Sequence, residues 1–209
     1  MQIVNFIKDS TNECYPFNWG ITLFSLGCNL HCKMCDGYNY EKISNSENVI
    51  DNAINVIKNN ITPLHDCVIF IGGEPTIWGE KLIKVLEYCK NMGMNTKIFT
   101  NGMLPDVVKK INEQELCDAW SVDIKGINNI KEQFNIDDEV YKKNIKLTLY
   151  NITQYNLPLE LRTTFFDGNI NDKKEIQELC KDFVKTYSKY TSYTKYIEQK
   201  DVRGIINGR

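Results

Sequence analysis

Short runs that are apolar throughout alternate along the chain with longer stretches in which apolar residues recur every three to four positions. Ile21 to Leu26 is the first such run, and Cys67-Val68-Ile69-Phe70-Ile71, ending at Gly72-Gly73, reads as a strand buried on both faces. Thr96 to Phe99, Ala119 to Ile124 and Leu159 to Phe166 read as three more strands. Between them the period becomes helical. Ser44-Asn45-Ser46-Glu47 has the capping-box pattern, with Ser44 as N-cap and Glu47 at N3, ahead of Ile50, Ala53, Ile54 and Ile57. Leu82, Ile83, Leu86 and Cys89 form the stripe of a helix that Gly93 closes, and Pro105 opens a helix carrying Val108 and Ile111. Tyr141 to Tyr150 and Asp172 to Tyr187 complete the helices. About five strands alternating with helices predict an α/β fold with a parallel sheet, open or curled into a partial barrel. One domain over residues 1–209 is expected. Residues 184–209 are a C-terminal extension, in which Tyr187 to Arg209, rich in tyrosine and lysine without clean periodicity, reads as a helix with a frayed end or as a segment ordered only by a partner.

Two strands alternate apolar and polar residues. Ser121, Asp123 and Lys125 share one face, and Glu160, Arg162 and Thr164 share another. If helices cover the apolar outside, both polar trios point into a concave interior. A sheet with one solvated face is the plainer alternative.

A net charge of -2 argues against broad binding to nucleic acid or acidic membrane, which would leave a basic footprint. No run approaches the length of a membrane span and the N-terminus lacks a signal-peptide layout, so a cytoplasmic protein is expected. Eight cysteines could suggest disulfides, but such frameworks belong to small secreted chains. Cys67 and Cys89 fall in apolar segments and read as small buried hydrophobes. Trp19, Trp78 and Trp120 read as packing residues.

Cys28, Cys32 and Cys35 stand apart from the other cysteines, spaced C-x3-C-x2-C. Structural zinc or an ordinary ferredoxin cluster wants a fourth nearby protein ligand, and the next cysteine is Cys67. Three thiolates can hold three irons of a four-iron cluster and leave the fourth open. A structural metal module or an electron-transfer protein is the non-enzymatic alternative, and it has no use for the Gly72-Gly73-Glu74-Pro75 stretch on a later strand. That stretch, the cysteine loop, Thr100-Asn101-Gly102, Asp123 with Lys125, and Arg162 all follow or end strands, where ligand sites of such folds form. His31, between the cysteines, reads as a solvent-facing loop residue.

The cysteine spacing with Met34 before the third cysteine, together with Gly72-Gly73-Glu74-Pro75, resembles the radical S-adenosylmethionine (SAM) superfamily over about residues 18–183. The resemblance implies a partial (β/α)6 barrel in which Cys28, Cys32 and Cys35 ligate a [4Fe–4S] cluster and SAM chelates the open iron. It further implies that Gly72, Gly73, Glu74 and Pro75 receive the SAM amino group, that Met34 lies near adenine, and that Asp123 and Lys125 contact ribose and carboxylate. Reductive cleavage of the sulfonium would give methionine and a 5′-deoxyadenosyl radical. Thr100 and Asn101, Asp123-Ile124-Lys125, Leu161-Arg162-Thr163-Thr164 and Tyr15-Pro16 resemble glycyl-radical-enzyme activases, most of all those of anaerobic ribonucleotide reductase. The implied partners are that reductase and, as electron donor, flavodoxin or ferredoxin. Two departures accompany the likeness: Asp36-Gly37-Tyr38 follows the third cysteine where activases have His-Asn or Tyr-Asn, and Phe99 stands where they have an acid that helps bind a monovalent cation. Cys35-Asp36 with Tyr38 is also similar to 7-carboxy-7-deazaguanine synthase, the alternative enzyme reading, alongside a peptide-modifying one.

Overall fold

The computed structural model describes residues 3–33, 35, 49–191 and 193–200, with backbone alone at 4 and 200. The described residues form one seven-stranded sheet in sequence order, flanked by helices. Its strands are β1 (Ile3–Ser10), β2 (Gly20–Ser25), β3 (Cys67–Gly72), β4 (Asn95–Thr100), β5 (Ala119–Asp123), β6 (Leu159–Phe165) and β7 (Thr194–Lys200). From β2 to β7 every neighbour is parallel, so each connection must cross over, and helices fill the crossovers. These are α1 (Val49–Asn60), α2 (Glu80–Asn91), α3 (Pro105–Glu113), α4 (Ile130–Phe134), α5 (Asp138–Thr153) and α6 (Lys173–Tyr187). Only β1 runs antiparallel, along the free side of β2, and the sheet is not closed between β1 and β7. The six parallel strands make a partial barrel.

Strand alternation sorts the two faces. Val68, Phe70, Ile98, Trp120, Val122, Leu159 and Leu161 point outward and are buried under Leu82, Leu86, Val108, Ile111, Ile152 and Ile176 of the helices. The indole of Trp120, fully buried, donates from Nε1 to Asn112 Oδ1 of α3 at 2.9 Å, which satisfies its one polar atom. Inward lie Lys97 and Phe99, Ser121 and Asp123, Glu160 and Arg162. Register aligns Phe99 with Ser121 and Ser121 with Glu160, while Asp123 aligns with Arg162 one row nearer the carboxyl ends. The two polar trios therefore do face a concave interior, and at the rim Thr164 Oγ1 donates to Gln199 Oε1.

Five strands are legible in the pattern and seven are present among the described residues. Thr194–Lys200 is not part of a frayed helix: it is β7, paired with β6 over seven residues. Helix α5 begins earlier than the periodicity suggests, because the Asp137 carboxylate caps the amides of Glu139 and Val140. Cys67 and Cys89 are fully buried, as expected of small hydrophobes, and Trp78 and Trp120 are core residues. Trp19 is not; it is 38% exposed. The capping box at 44–47 and the stretch Asp36-Gly37-Tyr38 lie outside the described residues. No helix among the described residues is long and apolar enough to cross a membrane.

Candidate active site

Two backbone hydrogen bonds fix the start of the cysteine loop. Gly73 N donates to Ser25 O at 2.8 Å, and Glu74 N donates to Gly27 O at 2.7 Å. This approach needs glycine: an added Cβ on Gly73 would stand 1.9 Å from Gly27 O, and Gly72 adopts φ 112° against the backbone of Ser25. The far side of the loop rests on α4. His31 N and Lys33 N donate to the carbonyls of Phe134 and Gln133, which the end of that short helix leaves without partners. Leu30 is buried against Ile130 and Phe134 beneath it.

Glu74 is the hub of the second strand end. Its side chain is 1% exposed, and its Oε1 accepts from Thr76 N at 3.1 Å, Thr76 Oγ1 at 2.6 Å and Thr100 Oγ1 at 2.8 Å. Its Oε2 accepts from Asn101 N at 2.6 Å. Burial raises its pKa, while these donors work in the opposite direction. The carboxylate thereby ties the turn after β3 to the turn after β4. Asn101 carries the link onward, with Nδ2 2.8 Å from Asn29 Oδ1 and 3.6 Å from Cys28 Sγ.

Cys28, Cys32 and Cys35 line one wall of a cavity of about 250 Å³ at the carboxyl ends of the strands. Opposite them stand Gly72, Gly73 and Glu74, then Thr100 and Asn101, then Asp123, Lys125 and Arg162. Among the described residues no three His, Cys, Asp or Glu side chains are drawn close enough to grip a metal ion. The chemistry of the cysteines nonetheless fits an iron–sulfur group. Burial pushes the Cys28 thiol up to about 11 and raises Cys32 as well, and a bound cation would favour the thiolate forms. Two donors already point at the Cys28 sulfur as they would at a thiolate: Leu30 N at 3.4 Å and the Asn101 amide.

Lys125 meets Asp123 Oδ2 at 2.5 Å. Burial pulls the ammonium down, but the Asp123 carboxylate and the Cys32 sulfur outweigh it and raise its pKa. The backbone of Lys125 is held on both sides, its N–H donating to Tyr141 Oη at 2.8 Å and its carbonyl accepting from Asn169 Nδ2 at 2.7 Å.

Below this layer lies a buried ion network. Glu160 Oε2 meets Lys97 Nζ at 2.8 Å and Arg162 Nη2 at 3.1 Å, and its Oε1 meets Lys195 Nζ at 2.7 Å. Arg162 Nη2 also pairs with Glu13 Oε2 at 2.6 Å, and Lys97 Nζ donates to Tyr15 O at 2.7 Å. The loop between β1 and β2 thus closes the base of the barrel. Burial alone would raise the Glu160 carboxyl; Lys97, Lys195 and Arg162 outweigh it and hold the pKa below the usual range. The Phe99 ring is flanked by both cations, with Arg162 Cζ 4.6 Å and Lys97 Nζ 5.0 Å from its centroid.

Eleven of the residues singled out in the sequence therefore line one cavity: the three cysteines, Gly72, Gly73, Glu74, Thr100, Asn101, Asp123, Lys125 and Arg162. Pro75 is buried behind Glu74, where it starts a 3₁₀ turn, and does not line the cavity. Met34 lies outside the described residues, and His31 is exposed. Glu13 and Gln199 line the cavity without any forewarning in the sequence. Glu13 is a lone acid in a stretch with no periodicity, and Gln199 belongs to the strand the pattern did not reveal.

A family model described as the radical SAM superfamily matches residues 22–183. A protein of Methanocaldococcus jannaschii provisionally named a glycyl-radical enzyme activating enzyme is 28% identical over 183 residues, covering 86% of this chain and 74% of its own. The 7-carboxy-7-deazaguanine synthase of the same organism is 33% identical over 174 residues, covering 75% of this chain and 68% of its own. Among solved structures, Streptococcus suis SuiB bound to precursor peptide SuiA superposes with a TM-score of 0.57 at 14% identity, a likeness of fold. It covers 84% of this chain, which spans only 48% of SuiB.

Proposed function

The chain belongs to the radical SAM superfamily, and from that premise we propose that it generates a glycyl radical on a partner enzyme, anaerobic ribonucleotide reductase being the one the sequence favours. Membership implies an iron–sulfur cluster and SAM. Cys28, Cys32 and Cys35 would hold the cluster, of the [4Fe–4S] type, and when bound the pair supplies one-electron cleavage of the sulfonium and a carbon radical able to take a hydrogen atom. The protein's own contribution is placement. Gly72 and Gly73 present bare backbone to the cavity, and the Glu74 carboxylate holds that backbone against the cysteine loop. Asp123 and Lys125 offer an acceptor and a cation at one spot for ribose and carboxylate, and Arg162 faces them from the next strand. The closed base of the barrel, with Glu13 and Tyr15 tied to Arg162 and Lys97, keeps water from the inner end.

The observation that carries this reading is the single cavity lined by three cysteines, the second glycine motif and the Asp123–Lys125 pair. The choice of a glycine as hydrogen donor is supported by the likeness to the M. jannaschii activating enzyme, which runs over most of the chain. Cytoplasmic flavodoxin or ferredoxin would supply the electron. A second reading, 7-carboxy-7-deazaguanine synthesis, is favoured by the higher identity to that synthase. Electron paramagnetic resonance separates the two. Mixed anaerobically with reductant, SAM and the host's anaerobic reductase, the chain is expected to produce a glycyl doublet on the reductase. Conversion of a carboxylated reduced pterin to 7-carboxy-7-deazaguanine, and no doublet, would move the assignment to the synthase.

A further inference from the structure

One row deeper than Asp123, the cavity holds a polar group that nothing in the fold uses. Ser121 is 1% exposed, its side chain lines the cavity, and its Oγ has no hydrogen-bond partner. Buried hydroxyls are ordinarily paired, so one left free on a cavity wall points to a ligand that pairs it. Its surroundings define that ligand. Phe99 lies beside it in register and supplies an apolar face. Arg162 lines the same wall, yet its guanidinium already serves Glu13 at 2.6 Å and Glu160 at 3.1 Å, so its charge is compensated. Lys97 is sealed behind Phe99 and does not reach the cavity. Arg162, the one cation of this network on the cavity wall, is thus already held by two carboxylates. The inner end does offer both kinds of neutral hydrogen bonding: the Ser121 hydroxyl donates or accepts, the Glu13 carboxylate accepts, and the Gln199 amide at the rim donates.

We propose that this inner end is a subsite for the main chain of a peptide, in which Ser121 Oγ pairs with one backbone amide of the bound segment. Glu13 and Gln199 match the alternating N–H and C=O groups on either side, and Phe99 packs under the segment. A neutral chain without a side chain at its centre fits a site in which each charged group already has an ion-pair partner. The subsite rests on the glycyl-radical reading and names which part of the partner it grips.

Anaerobic titration calorimetry tests it on the full chain, reconstituted with iron and sulfide and saturated with SAM. The probes are a capped Ala-Gly-Ala peptide, the same peptide with Asp in place of Gly, and a carboxylated reduced pterin. The glycine peptide is expected to bind at least about 10-fold more tightly than either anionic probe. Ser121→Ala should weaken it by about 10-fold, as loss of one buried hydrogen bond does, and Ser121→Thr, which keeps the hydroxyl, should restore most of the affinity. The proposal fails if Ser121→Ala binds the peptide as wild type does, if the pterin binds more tightly, or if no peptide binding is detected. Binding needs no sulfonium cleavage, so failure here leaves the doublet experiment standing, and failure there leaves this result intact.

Discussion

Gly73→Ala is expected to cost about 3 kcal/mol of folding stability, the upper part of the range for overpacking, and to reduce 5′-deoxyadenosine formation by about 100-fold, as small misplacements of reacting groups do. The methyl carbon would stand 1.9 Å from Gly27 O, a backbone atom that no rotamer change can move aside. Relief requires parting Gly73 from Gly27, and that breaks the two short hydrogen bonds joining the second motif to the start of the cysteine loop. Stability and chemistry therefore fall together. Gly93→Ala is the control: its φ of 72° is left-handed, but nothing lies within 4 Å of the added carbon. That change should cost about 1 kcal/mol and leave cleavage intact. Thermal unfolding and product chromatography on both variants check the pair.

Removal of the Glu160 carboxylate is the second large effect. Glu160→Ala strands Lys97, whose side chain is 0% exposed, and leaves Arg162 with Glu13 alone. Breaking one partner from a buried ion network costs about 3–5 kcal/mol, because the surviving charge is uncompensated. Replacing both partners, as Glu160→Leu with Lys97→Met, should recover most of that loss in urea unfolding. The same network sets a pH dependence. Glu160 has a folded pKa below its unfolded value, so its stabilisation is full above the unfolded carboxylate range, about pH 4. It is lost as pH falls further through the folded value. Wild-type stability should drop below about pH 4 more steeply than that of the double variant.

Hydrophobic patterning made the central strands and the outward helices legible because their apolar residues recur regularly on the faces that pack together. Val68 and Phe70, Trp120 and Val122, and Leu159 and Leu161 alternate with the residues that build the cavity. The same alternation exposed Asp123 and Arg162 as inward groups before any contact was known. The edges were silent. In β1, Phe6 and Ile7 are 36% and 47% exposed, and β7 reads Thr-Lys-Tyr-Ile-Glu-Gln-Lys, so neither shows a continuous apolar face in its sequence, although Ile3 and Tyr196 pack against the core. They are strands because β2 and β6 offer them hydrogen-bonding partners, which is a tertiary cause. Glu13 and Gln199 were hidden for the same reason: each reaches the cavity from an edge segment. The role of α4 was also out of reach, since five residues carry too little periodicity to be seen. Its carbonyls support the cysteine loop all the same.

The most direct measurement is the yield of 5′-deoxyadenosine after anaerobic reconstitution with iron and sulfide, reduction with dithionite and addition of SAM. It is made on the wild-type chain and on Cys28→Ala, Cys32→Ala and Cys35→Ala in parallel. Circular dichroism establishes that each variant is folded. The wild type should form 5′-deoxyadenosine, and each single variant should form none, because in the proposed site the three thiolates are the protein ligands of the cluster. Wild-type yield from any one of the three variants, or no product from a wild type with its cluster intact, would contradict the assignment.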